Sequence, residues 1–215
     1  MIQGEPATSE PPDLTEPPSE RRLARAARTA LSVTLLLALL AGVLFPIVVI
    51  GIGQLAFPRQ ANGSLVLNAQ GQVIGSDLIG QGFQGAGYFH PRPSAAGADG
   101  YDASGSSGLN LALTNEKLIE TLRDRAQAYR AENGVPDDVT LPADAVTTSA
   151  SGLDPDISAA NAALQVPRVA RARGMSEQAV RDLVRAHTQK PLLGFLGEPR
   201  VNVLQLNLAL DGAQH

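Results

Sequence analysis

A run of thirty uncharged residues, from Thr29 to Pro58, constrains this chain more than any other feature. Arg28 precedes the run, Arg59 follows it, and Leu, Val, Ile and Ala dominate between them. About 20 apolar residues in a helix cross a hydrocarbon core of roughly 30 Å, and backbone in lipid must satisfy its own hydrogen bonds. The run therefore predicts one membrane-spanning helix over residues 29–58, kinked at Pro46 because proline offers no donor to the carbonyl of Gly42.

Two other interpretations of this run fit less well. A buried helix of a soluble protein is usually shorter and carries polar residues on one face. A cleaved signal peptide has an apolar core of about 7–15 residues and a small-residue cleavage site. This core is about twice as long, and Phe57-Pro58-Arg59 is a poor cleavage context. The run is therefore expected to stay in the protein as an anchor.

The residues before the anchor predict its orientation. Residues 1–20 hold five prolines and five acidic residues, which predicts a disordered tail. Arg21, Arg22, Arg25 and Arg28 then lie against the anchor, and only Arg59 lies close to its far end. Basic residues beside a span stay in the cytoplasm. We therefore expect a single-pass protein of the cell inner (plasma) membrane, with residues 1–28 cytoplasmic and residues 59–215 outside the cytoplasm.

The composition of residues 59–215 excludes several classes of site. The whole chain contains no cysteine, so disulfide scaffolds, thiolate zinc sites and cysteine nucleophiles are ruled out. These residues hold 13 basic and 16 acidic side chains, and the chain has no tryptophan. Nothing in that balance indicates nucleic-acid binding. The length suits one globular domain or two small ones.

Strand and loop signals come first in this region. Residues 64–67 and 72–74 flank a four-residue turn and predict a short hairpin. Residues 75–108, here called the glycine-rich loop, are dense in Gly, Ser, Pro and Asp, with Tyr88, Phe89 and Tyr101 among them. A loop of that length without its own elements is usually functional or disordered. The aromatic residues favour an ordered binding loop.

Helical signals follow the glycine-rich loop. Thr114 as N-cap and Gly134 as C-cap bound a predicted half-buried helix. Asp154 as N-cap, with Pro155 at the first helical position, predicts a second helix that Pro167 breaks or restarts. Ser176 caps a third, and the alternation in residues 201–210 predicts a closing strand. Helices and strands in this mixture predict an α+β domain behind a single transmembrane helix.

No motif in the sequence supports an enzyme. Gly80-Gln81-Gly82-Phe83-Gln84-Gly85 matches a dinucleotide fingerprint in its letters, but the proline-bearing residues 88–93 cannot form the helix that must follow. A P-loop fails because Gln81 and Gly82 stand where Lys and Ser or Thr are required. His90, His187 and His215 lack metal-ligand spacing. The predicted role of His187 is that of a partly buried structural residue.

Seven segments behind the N-terminal anchor form a recognisable set. They are GSDLIGQ (75–81), YF (88–89), RPSA (92–95), GLNL (108–111), TSASGLDPDIS (148–158), QVPRVA (165–170) and GEPRVNVL (197–204). Together, over about residues 30–211 and in the same order, they resemble one known family, the C subunit of the Kdp potassium-transporting P-type ATPase (KdpC). Leu109 stands where the family motif has a serine, and residues 130–146 look variable.

The resemblance implies a non-catalytic subunit of a high-affinity potassium pump. Its implied partners are a potassium-channel-like subunit, a P-type ATPase subunit that hydrolyses ATP and a small single-helix subunit, besides membrane lipid. It implies no cofactor in this chain, with ATP bound only through the ATPase subunit. Two roles are described for the family: raising the ATP affinity of the ATPase subunit, and capping the external potassium entrance. A domain outside the cytoplasm cannot touch cytoplasmic ATP, which favours assembly and capping.

The glycine-rich loop and residues 147–158 are the predicted partner-contact segments, because backbone-rich loops allow close approach and aromatic residues can anchor a partner. Tight turns explain the same glycines equally well. Two other functions remain open: a membrane-anchored hydrolase using a serine of 104–107, and a sensor, whose output module residues 1–28 are too short to provide. The candidate contact residues are Gly80, Gln81, Tyr88, Phe89, Arg92, Ser107, Asn110, Ser151, Gly152, Asp154 and Arg168.

Overall fold

The computed structural model of this chain describes residues 20–68 and 70–213. The described chain divides after Ala61 into two compact units. The predicted disordered tail, residues 1–19, lies outside the described residues. The first unit contains one helix, Glu20–Ala56, that is long and apolar enough to cross a membrane. It begins at Glu20, so the four arginines assigned to the tail lie on its first turns.

The apolar helix changes its winding ahead of its proline. An α-helical part, α1 (Glu20–Leu39), runs into a π-helical turn, Leu40–Leu44, and then into α2 (Phe45–Ala56). The amide of Phe45 donates to the carbonyl of Leu40, five residues back. A π turn is one of the known causes of helix irregularity, and here it ends two residues before Pro46. A short helix, α3 (Pro58–Ala61), follows.

The second unit, Asn62 onward, mixes helices and short antiparallel strands. The predicted hairpin is confirmed as β1 (Leu65–Leu67) paired with β2 (Val73–Ser76). The elements that follow are α4 (Glu116–Asn133), β3 (Asp156–Ser158), α5 (Ala159–Arg173), α6 (Glu177–Ala186), β4 (Thr188–Gln189), β5 (Arg200–Asn202) and α7 (Val203–Gly212). A second sheet has the order β3-β5-β4, with both pairs antiparallel.

Helix α4 begins one residue later than the sequence suggested. Asn115, and not Thr114, has the extended N-cap backbone, and its side chain accepts from the amide of Lys117. An N-cap oxygen satisfies one of the donors that a helix start leaves unpaired. Gly134 ends the helix in the left-handed conformation, as predicted.

The segment after Asp154 is a strand where a helix was expected. Residues Asp156–Ser158 form β3, and the N-cap of α5 is Ser158, whose hydroxyl accepts from the amide of Asn161. The prediction that Asp154 caps a helix is therefore wrong. The prediction that Pro167 breaks the helix is also wrong, because α5 continues through it to Arg173. Burial of Val166 and Val169 outweighs the hydrogen bond that proline removes.

The predicted closing strand over residues 201–210 is mostly a helix. Only Arg200–Asn202 is a strand, and the side chain of Asn202 then accepts from the amide of Gln205 to begin α7. Leucine favours helices, and a short apolar run does not distinguish strand from helix. The prediction of Ser176 as the N-cap of α6 is confirmed, with its side chain accepting from the amide of Ala179.

The core lies where α5, α6 and α7 meet the three-stranded sheet and one residue of the glycine-rich loop. That residue is Phe89, whose side chain is fully buried. Packing around it gives the irregular loop a fixed position in the domain. The core cluster contains Phe89, Ile157, Ala162, Val166, Val169, Ala170, Val180, Val184, Val201, Val203, Leu206 and Leu210.

The two candidate caps of α4 can be separated by adjacent substitutions. Asn115→Ala removes the capping oxygen and should lower the free energy of unfolding by about 0.5–2 kcal/mol. Thr114→Ala, the matched control, should change it by less than about 0.5 kcal/mol because Thr114 is an exposed side chain outside the cap. Circular-dichroism melts of the full chain in detergent measure both. Equal effects would contradict the cap assignment.

Candidate functional site

Two buried amide side chains hold the middle of the glycine-rich loop. Asn207 of α7 accepts from the amide of Phe89 at 2.8 Å and donates to the carbonyl of the same residue at 3.0 Å. Gln165 of α5 accepts from the amide of His90 at 2.7 Å and donates to its carbonyl at 3.0 Å. Each amide bonds the loop backbone as a neighbouring strand would. The loop is therefore ordered by side chains of the helices, although it has no sheet partner at these residues.

Arg168 extends this clamp from the next turn of α5. Its guanidinium donates to the carbonyls of Ala86 and Tyr88 at 2.8 and 2.9 Å, and to the side-chain oxygens of Asn133 and Gln165 at 2.9 and 2.8 Å. Burial lowers the pKa of Arg168, but a guanidinium stays protonated in proteins. The buried charge is thus satisfied by neutral oxygen acceptors at four points.

Glycines allow the loop to lie against residues 147–158. The amide of Gly80 donates to the carbonyl of Leu153 at 2.8 Å, and a Cβ at Gly80 would lie 2.5 Å from the carbonyl oxygen of Asp154. Gly152 has φ +69°, and a Cβ there would lie 2.5 Å from the carbonyl oxygen of Ser107. No side chain fits at either glycine without a shift of backbone. These glycines therefore allow two backbone segments to approach closely, in addition to allowing turns.

Arg92 joins the loop to residues 147–158 by charge. Its guanidinium donates to the Asp154 carboxylate at 2.8 Å and to the carbonyl of Thr148 at 3.3 Å. Its own carbonyl accepts from the hydroxyl of Tyr101. Burial raises the pKa of Tyr101 far above its usual range, so its hydroxyl keeps its proton and remains a donor. Asp154 therefore pairs with an arginine and also accepts from the amide of Asp156, at 3.0 Å.

An open polar cavity of about 730 Å³ lies beside this ion pair. Arg92, Asp154, Asp156 and Arg200 line it, and Arg200 lies 3.0 Å from the Asp156 carboxylate. Burial raises the pKa of Asp156; Arg200 lowers it, and the charge of Asp154 raises it further. The cavity is lined by two arginine–aspartate pairs, so it suits a polar partner surface more than an apolar one.

The eleven candidate residues fall into three groups by exposure. Ser107, Asn110 and Ser151 are exposed, and Asn110 adopts a left-handed φ of 50°. The half-buried ones are Gln81, Tyr88, Arg92 and Asp154, and the buried ones are Gly80, Phe89, Gly152 and Arg168.

Burial changes the role of two of these candidates. The side chains of Phe89 and Arg168 hold the loop from inside, so neither presents a surface to a partner in this conformation. Their predicted role as contact residues stays a prediction, and the structure adds that both side chains are buried. Tyr88 differs from its neighbour Phe89, because the Arg173 guanidinium lies 4.7 Å from its ring centre and leaves it half-buried.

Sequence reasoning missed the amide residues that position the loop. Gln165 and Asn207 lie within apolar helices, and each is about 1% exposed. Buried polar side chains in globular proteins are almost always hydrogen-bonded. A polar amide on the apolar face of a predicted helix was the available signal. Such an amide marks a position where the helix side chain forms hydrogen bonds with the backbone of another segment.

The contacts do not favour the hydrolase alternative. The serine hydrolase alternative needs a histidine and an acid that converge on one of the serines 104–107. The hydroxyl of Ser104 donates to Asp102, that of Ser106 to the carbonyl of Ser151, and that of Ser107 to the carbonyl of Gly108. The ring of His90 bonds Gly85 and Glu132, and that of His187 bonds the carbonyl of Leu183. Among residues 20–68 and 70–213, no group of three or more His, Asp or Glu side chains could hold a metal ion.

Comparison with known proteins gives one consistent family. Residues 27–212 match the family described as "K+-transporting ATPase, c chain". A potassium-transporting ATPase KdpC subunit of Caulobacter vibrioides is 60% identical over 176 residues, covering 82% of this chain and 87% of the relative. The KdpC subunits of Mycobacterium bovis and Nitratidesulfovibrio vulgaris are each 57% identical, over 85% and 86% of this chain and 95% and 92% of their own.

Close approach at Gly152 can be tested against a glycine of similar backbone conformation. Gly71 has φ +77° and open space around it, so Gly71→Ala should cost about 1–2 kcal/mol from backbone strain alone. Gly152→Ala has the same strain plus the collision with Ser107, and it should cost about 1–3 kcal/mol more. Thermal melts of both variants measure the difference. Equal losses would show that the loop does not need close approach at Gly152.

The polar cavity also predicts a pH dependence of stability. An aspartate in the unfolded chain has a pKa near 4, and folding raises the pKa of Asp156. The folded state therefore favours the protonated acid, so its stability contribution is present below the ordinary pKa and is lost as pH rises through the raised pKa. Asp156→Asn cannot ionise, so it should gain in melting temperature relative to the natural protein as pH rises from about 3.5 to 7. A difference in melting temperature that does not change with pH would contradict the raised pKa of Asp156.

Proposed function

Because the chain belongs to the KdpC family, the c chains of K+-transporting ATPases, we propose that it is a non-catalytic accessory subunit of a high-affinity, ATP-driven potassium-import complex. The observation that carries this proposal is the match itself, which extends over residues 27–212 and includes the apolar helix as well as the second unit. The relatives cover most of this chain at 57–60% identity. The chain is accordingly a membrane-associated Kdp subunit.

The domain that follows the apolar helix lies outside the cytoplasm in this proposal. Arg21, Arg22, Arg25 and Arg28 lie on the first turns of the helix, whereas Arg59 alone lies close to its other end. Retention of arginine on the cytoplasmic side orients most single spans. The helix then anchors the chain in the inner (plasma) membrane with its N-terminus in the cytoplasm.

That orientation favours capping and assembly over direct action on ATP. A domain beyond the membrane reaches the external end of a potassium pathway but not a cytoplasmic nucleotide site. Its partners in this proposal are the potassium-channel-like subunit, with the P-type ATPase subunit and the small single-helix subunit in the same complex. Any ATP affinity effect would then pass through the membrane, as a coupling between distant sites.

The surface proposed for partner contact is formed by the glycine-rich loop, by Asn110 just after it and by residues 147–158. Its exposed members, Ser107, Asn110 and Ser151, lie on or beside backbone that close glycine contacts hold in place. The Arg92–Asp154 pair adds a half-buried charged patch beside them. A rigid loop loses little conformational freedom when it binds, which helps a subunit interface form. This rigidity supports a docking role.

Orientation is the decisive measurement for this function. The chain has no cysteine, so single cysteines can be placed at exposed Asp138 and at Ser9. A membrane-impermeant maleimide is added to cells whose outer barrier is opened and whose inner membrane is intact. We expect Asp138→Cys to be labelled in these cells and Ser9→Cys to be labelled only after detergent is added. Labelling in detergent is the control for the reactivity of each cysteine. The reverse pattern would place the domain in the cytoplasm and favour direct action on the ATP-binding subunit.

A further inference from the structure

The β1–β2 hairpin presents apolar side chains to the outside of its domain. Leu65, Leu67 and Val73 are 49%, 55% and 58% exposed, whereas Val66 and Ile74 between them are half-buried. Leu67 and Val73 are paired across the two strands. Cross-strand partners lie on the same side of a hairpin, so these side chains form one patch, here called the hairpin patch (Leu65, Leu67 and Val73).

The hairpin follows the apolar helix almost at once in the chain. Only Asn62, Gly63 and Ser64 separate the end of α3 at Ala61 from Leu65. A chain of that length spans at most about 14 Å. No charged residue occurs from Gln60 to Ser76. The hairpin therefore continues the uncharged character of the membrane helix beyond Arg59.

The turn of the hairpin is polar, and Asn68 bonds several of the donors of the described turn residues. The side-chain oxygen of Asn68 accepts from the amides of Gln70 and Gln72, at 3.0 and 2.9 Å. The side-chain amide of Asn68 donates to the side chain of Gln72 at 3.0 Å. Backbone groups that already have partners enter a water-poor layer at low cost. Uncharged amides in this turn also suit the zone of lipid headgroups.

We propose that the hairpin patch contacts lipid at the boundary between headgroups and acyl chains. Three half-exposed side chains form a patch of at most a few hundred Å². A stable protein partner needs about 800 Å² from each side, so the patch alone is too small for one. Lipid has no such requirement, and only eight residues, 57–64, separate the hairpin from the end of the apolar helix at Ala56. The contact fixes the distance of the domain from the membrane, on whichever side the domain lies.

Tryptophan fluorescence tests the contact directly, since the chain has no natural tryptophan. The full chain carrying Leu67→Trp or Val73→Trp is reconstituted into phosphatidylcholine vesicles, with and without bromine on the acyl chains. Bromine quenches an indole that touches it. Leu113→Trp is the control, because Leu113 is 88% exposed in the same domain but far from the hairpin in sequence. Circular dichroism and vesicle flotation establish folding and anchoring of each variant.

We expect both hairpin variants to be blue-shifted and quenched severalfold more by brominated than by ordinary lipid, with Leu113→Trp unquenched. Variants that float with the vesicles but show no quenching at either hairpin site would overturn the contact while leaving the anchor intact. Equal quenching at Leu113 would mean general adsorption of the domain and would also overturn it. A blue shift without quenching that occurs only in the assembled pump would assign the patch to a protein partner and would also overturn the lipid contact.

Discussion

The domain depends on two buried amide side chains that bond an irregular backbone. Asn207 and Gln165 each give one donor and one acceptor to the loop at Phe89 and His90. A buried backbone group without a partner costs about 1–3 kcal/mol. The loop can therefore carry Phe89 into the core only because α5 and α7 supply partners for its backbone. Arg168 applies the same principle to the carbonyls of Ala86 and Tyr88.

This clamp explains how a segment dense in glycine remains ordered. Glycine loses the most conformational freedom on folding, so such a loop needs many fixed points. The amides supply them on one side, and close contact of Gly80 and Gly152 with residues 107 and 153–154 supplies them on the other. The exposed serines and Asn110 are then held on a rigid support. A surface held in this way suits the docking role proposed for this subunit.

Local sequence signals predicted some elements correctly and failed where packing between distant residues determines the secondary structure. The predicted caps are confirmed at Ser176, the N-cap of α6, and at Gly134, the C-cap of α4. The cap signal failed at Asp154, because Arg92, 62 residues earlier in the sequence, recruits its carboxylate. An aspartate before a proline fits the N-cap rule whether or not a helix follows it. Here the carboxylate of Asp154 pairs with Arg92 instead of capping a helix. The same reason applies to residues 203–210, where burial against the core selected a helix from an ambiguous apolar run.

The sequence by itself determined the single apolar helix, the hairpin, the α+β character of the domain and the resemblance to KdpC. These follow from local composition, from periodicity and from runs of matched residues, all of which can be found along the chain. Tertiary structure alone decided that Phe89 and Arg168 face inward, that Pro167 stays within a helix, and that Asn207 and Gln165 serve the loop. Each of these depends on pairs of residues tens of positions apart, whose contact energies have no signature in either local segment.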